Sequence, residues 1–134
     1  MKYKTVCIVY VILAGTNSLF FLLLPNLSMN ILQRSTNEVG ILTTQMAGAC
    51  ALGLVLMTWL SRNSTDPQLQ KIILLGNLIT VAILVVVDLL AIRSGAFNWI
   101  GWAFFTGDFL MSVAFLSLIF RIHNKNIILT NKMQ

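Results

Sequence analysis

FNWIGWAFFTGDFLMSVAFLSLIF, residues 97–120, decides the class of this chain. The stretch carries a single charged residue, Asp108, and does not alternate polar with apolar positions. About twenty consecutive apolar residues carry a helix across a bilayer. The run is long enough, and its unbroken apolar character excludes a strand of a closed membrane barrel. Asp108 then falls near the hydrocarbon centre, where an unpaired carboxylate costs several kcal/mol. Its position alone marks it as a candidate functional residue.

Working outward, three more runs of the same kind precede it. The span at about 67–92 opens on Asp66-Pro67, a cap followed by proline at the first helical position, and is separated from the last by Arg93-Ser94-Gly95-Ala96. The span at about 39–60 follows Ser35-x-x-Glu38, which reads as a capping box. The span at about 5–24 ends at Pro25, a residue that cannot continue a helix cheaply. Lys2 and Lys4 ahead of this run resemble the start of a signal peptide. The run is too long for one and lacks a small-x-small cleavage site, so an uncleaved anchor is expected. Composition agrees: 57% of the 134 residues are hydrophobic and 10% charged, against about 25% charged in a soluble domain. The expected fold is an all-α integral membrane four-helix bundle, one transmembrane domain over residues 1–134.

The basic residues orient it. With the N-terminus in the cytoplasm, Lys2, Lys4, Arg62, Lys71, Arg121, Lys125 and Lys132 face inward and only Arg34 and Arg93 outward. This positive-inside bias places both termini in the cytoplasm, in a cell inner (plasma) membrane. Trp99 and Trp102 then mark the outer interface, and Trp59 and Tyr3 the inner one. The net charge of +5 follows from this asymmetry. The basic residues around Arg121, His123 and Lys125 meet anionic lipid headgroups, and no nucleic-acid partner is implied.

Short links make spans two, three and four antiparallel neighbours, while residues 25–37 form the longest connection, with room for a minor helical turn. Span two places small residues at Ala47/Ala51 and Ala49/Gly53, pairs that let helix backbones approach closely. Packing inside the bundle is the first expectation for them and a homodimer face the alternative.

Enzymatic and metal chemistry find little footing. Cys7 and Cys50 differ in depth by roughly 13 Å, too far for an internal disulfide. The only histidine, His123, lies beyond the last span, so zinc and haem sites lack ligands and a catalytic triad lacks its base. No cofactor, metal or enzyme activity is expected. The sequon Asn63-Ser64-Thr65 lies on the expected cytoplasmic side.

What remains is a polar set inside the spans. By helix rise from the expected outer surface, Asp88 lies roughly 6 Å deep, Gln45 about 9 Å, Asn17 about 11 Å and Asp108 about 16 Å, each from a different helix. Thr16, Ser18, Thr43, Thr44 and Thr106 fall in the same half, and Asn77 shares a face with Asp88 nearer the other side. Two arrangements follow. In one, a protonated Asp108 donates a hydrogen bond to Asn17, or to Gln45, as interhelical glue, with Asp88 wetted or paired with Arg93. In the other, Asp108 and Asp88 line one cavity that binds a cation or carries a proton.

Leu75-Gly76-Asn77-Leu78, the run from Ser94 through Trp102, Gly48-Ala49, Leu52-Gly53 and Trp59-Leu60-Ser61-Arg62-Asn63 resemble small four-span bacterial integral membrane proteins of uncharacterised function. That resemblance spans nearly the whole chain and implies a fold and a bacterial inner membrane. Members carry an arginine where this chain has Gln45 and an acid near Val81, so the ion pair they imply is missing here. The architecture is also similar to small multidrug-resistance exporters, which place a glutamate in their first span, where this chain has no acid. The expected function is therefore non-enzymatic: a multi-pass protein that binds a lipid, a small ligand or a partner membrane protein. The alternative is a small proton- or cation-coupled transporter using Asp108 and Asp88.

Overall fold

A computed structural model of the chain describes residues 2–32 and 37–131, without the side chains of residue 123 and residues 125–131. Gln33, Arg34, Ser35 and Lys132, and the side chains of His123 and Lys125, thus lie outside the described residues.

Five helices follow one another: α1 (Tyr3–Leu23), α2 (Pro25–Ile31), α3 (Glu38–Ser61), α4 (Pro67–Arg93) and α5 (Gly101–Asn131), with no strand among the described residues. Four of them, α1, α3, α4 and α5 as far as Ile122, are long and apolar enough to cross a membrane. Their outward faces carry exposed side chains such as Ile12, Leu60, Leu90 and Leu110. Such a surface calls for hydrocarbon around it rather than water.

Local chemistry sets the boundaries. Pro25 stops α1 and becomes the first residue of α2, where its missing N–H costs nothing. α3 is capped by Asn37, whose Oδ1 accepts the Gly40 N–H at 2.9 Å, so the helix starts later than a cap at Ser35 would place it. Asp66 caps α4 by accepting the Gln68 N–H at 2.9 Å. The α4 end closes on Gly95 at φ +70, a conformation that suits glycine. The opening residues of the 97–120 run form a turn, in which Asn98 Oδ1 accepts the Ile100 N–H at 3.0 Å, and α5 begins only at Gly101.

The bundle is built from two antiparallel pairs. α1 runs closely along α3 and α4 along α5, while the α3–α4 and α1–α5 contacts between pairs are sparse. Gly48 explains the first pair: a Cβ there would lie 2.8 Å from both Leu22 N and Ser18 O, backbone atoms of α1. The small residues expected to pack behave otherwise. Gly53 has nothing within 4 Å of its would-be Cβ, and Gly53 and Ala49 are exposed, whereas Ala47 and Ala51 line a cavity. The close backbone approach of span two is therefore at Gly48, on a different face from Ala49 and Gly53.

The half of the bundle holding the start of α1 is solid. Val6, Val55, Leu74, Phe115 and Leu118 are buried together there, and Tyr10 meets Phe115 edge to face at 5.3 Å. Tyr3 Oη lies 2.9 Å from Ser61 Oγ and donates to it, since Ser61 directs its own proton to Thr58 O. Between pairs, Asn77 Nδ2 donates to Thr58 Oγ1 at 2.8 Å in a buried bond, and Thr58 passes its proton to Leu54 O. At the opposite end, Asn98 Nδ2 donates to Ile31 O at 2.9 Å, tying the α4–α5 turn to α2.

Candidate functional site

Sparse contact between the pairs leaves space in the half of the bundle nearer α2. A cavity of about 290 Å³ lies there, with walls from α1, α3, α4 and α5 and from Leu32 and Phe97 at its end. Asp88 of α4 and Asp108 of α5 both line it, together with Asn17 of α1. A second cavity of about 270 Å³ lies between α1 and α5 and shares Asn17, Asp108, Tyr10 and Phe104 with the first.

The two acids stand differently. Asp88 is 7% exposed, and its Oδ2 is fully buried with no hydrogen-bond partner among the described residues. Asp108 is half-buried, and its side chain makes no hydrogen bond among the described residues; only its backbone carbonyl accepts one, from Ser112 Oγ. Tyr10 shares the cavity wall with both carboxyls. Arg93 closes the last turn of α4 with an exposed side chain and forms no ion pair with Asp88 among the described residues.

The expected Asn17–Asp108 hydrogen bond is not formed. Asn17 is exposed and shares both cavities with Asp108 without bonding to it. Counting along the helices put the two within about 5 Å in depth, but the sparse α1–α5 contact keeps them apart. Gln45 serves neither carboxyl: its Nε2 donates to Leu22 O at 3.4 Å, meeting one of the carbonyls left open at the end of α1. The hydroxyls of the same half bond to their own helices, Thr16 to Ile12 O, Ser18 to Ala14 O, Thr43 to Val39 O, Thr44 to Gly40 O and Thr106 to Trp102 O. They leave the carboxyls unserved. Asn77 donates to Thr58 and does not reach this cavity's lining.

Sequence reasoning missed Thr80, Val81 and Leu84, which face the cavity one and two turns before Asp88. The four-residue spacing from Asp88 back to Leu84 and Thr80 was the available signal. Both cysteines are free thiols, Cys7 buried and Cys50 exposed.

Fold and site define a helical protein with four helices able to cross a membrane and an acidic cavity between them. Compared with family models, curated proteins and solved structures, the chain matches none.

Proposed function

We propose that this is a non-enzymatic multi-pass membrane protein of a bacterial inner membrane, with both termini cytoplasmic, and that it binds a small ligand between its two helix pairs. The observation that carries the reading is Asp88: an almost wholly buried acid in the wall of a cavity, with one oxygen that no group among the described residues serves. Buried polar atoms are ordinarily satisfied, and the stability lost by leaving one open is about 1–3 kcal/mol. A group retained at that cost beside an open volume has its use there.

The test fills the cavity. Ala51 lines it from α3, so Ala51→Phe puts a ring into the space with little demand on the helix. Wild type and variant are extracted in native-lipid nanodiscs, and the small molecules released from each are identified by mass spectrometry. The expected outcome is a molecule present with the wild type and lost from a variant that melts normally. Identical released profiles would refute the reading.

A coupled transporter is the second reading, favoured by both carboxyls facing one cavity. It requires Asp108→Asn to abolish ligand-driven proton movement into dye-loaded proteoliposomes while leaving thermal stability intact. A wild type that binds but moves no protons leaves binding alone.

A further inference from the structure

We propose that the ligand is a small hydrophobic organic cation, an ammonium group on an apolar body, held with its charge between Asp88 and Asp108. This rests on the ligand-binding reading and adds the chemical class.

Charge comes first. Among the described residues, two acids line the cavity and no Lys or Arg does. Ser18 and Thr80 on its wall donate to Ala14 O and Gly76 O, and among the described residues neither the Tyr10 hydroxyl nor the Asn17 amide hydrogen-bonds to a carboxyl. An anion would be repelled by both carboxylates. A neutral hydrocarbon would leave Asp88 Oδ2 buried and unsatisfied. A cation between the carboxyls serves both, in surroundings where charge attraction is strong.

The kind of cation follows from the rest of the wall. A bare divalent ion needs about six or more oxygen ligands, and among the described residues no group of three or more His, Cys, Asp or Glu could hold a metal. Tyr10, Phe21 and Phe104 instead supply aromatic and apolar surface, which suits an organic ammonium. A volume of about 290 Å³ lies at the small end for ligand pockets, usually about 300–1,000 Å³, and limits the ligand to a single ring with its charged head. Access is lateral. The second cavity, bordered by the exposed Leu13 and Asn17, reaches Asp108 through the gap between α1 and α5. An apolar body travelling in the bilayer meets that gap directly.

Benzyltrimethylammonium is the probe, because its charge is fixed at every pH. Neopentylbenzene has the same shape and no charge. Binding of the radiolabelled cation to the full chain in nanodiscs should saturate, and the neutral isostere should compete on the order of tenfold less well. Asp88→Asn and Asp108→Asn, each checked by thermal melting, should weaken the cation by a similar factor. Equal competition by neopentylbenzene, or full affinity in the double variant, overturns the cation assignment. If Ala51→Phe still abolishes binding in that case, the cavity reading stands without it. No saturable binding of benzyltrimethylammonium to the wild type also overturns the proposal, and the released-molecule experiment then decides the cavity reading separately.

Discussion

Replacing Gly48 by alanine adds one methyl group, and the α1–α3 crossing has no place for it. The new Cβ would lie 2.8 Å from Leu22 N and Ser18 O and 3.2 Å from Phe21 C. Ordinary contact begins at 3.4 Å, so the helices must part by roughly half an ångström. All three neighbours are backbone, so no side-chain rotation relieves the clash. Overpacking of this kind costs about 1–3 kcal/mol, and the rigid neighbours place Gly48→Ala in the upper half of that range. Alanine's better helix propensity returns up to about 1 kcal/mol, leaving a net loss of about 1–2 kcal/mol. Gly53→Ala is the matched control: it gains the same propensity and meets nothing within 4 Å. The two variants should therefore differ by about 2–3 kcal/mol in opposite directions from wild type. Reversible unfolding in mixed micelles, followed by far-ultraviolet circular dichroism against the mole fraction of dodecyl sulfate, measures the difference. Coincident curves for the two alanine variants would refute the close-approach argument.

Two further outcomes follow. Thr58→Val keeps the side-chain shape but leaves Asn77 Nδ2 without its acceptor, so it should lose about 1–2 kcal/mol in the same assay while Thr58→Ser stays near wild type; equal stabilities would show the buried bond to be inert. In a background with Cys7 and Cys50 replaced by serine, single cysteines at Asn30 and Thr65, both exposed, should react with an impermeant maleimide from opposite sides of the membrane, Asn30 from outside; external labelling at Thr65 would reverse the orientation.

The membrane spans were legible because their signal is one-dimensional. A continuous apolar run, a proline such as Pro25 and a cap such as Asp66 need no neighbour to be read. Rotation about each helix axis was not. In a soluble helix the polar face reveals the buried one, but here the faces toward lipid and toward protein are both apolar, so Ala47, Gly48, Ala49 and Gly53 offered three directions with little to choose among them. Gly48 prevailed because α1 lies against it, a fact of packing. The same gap explains Asn17 and Gln45. Depth along the membrane normal follows from counting residues, whereas position around the bundle does not, so partners inferred from depth were near Asp108 in depth alone. Asp88 and Asp108 were recognisable as unusual by type and place. That they share one cavity depends on the loose seam between helix pairs, which no local pattern encodes.

The Thr58–Asn77 bond sits below that cavity, toward the solid half, and so acts as the fulcrum of a lever. From Asn77 to the far end of α4 is about 24 Å by helix rise, so each degree of tilt at the fulcrum swings that end by about 0.4 Å. The distance between the walls is thus governed from outside the cavity, at the fulcrum and at the Asn98–Ile31 tie across the opposite end. A change of one atom at either point alters the room available to a ligand that never touches it.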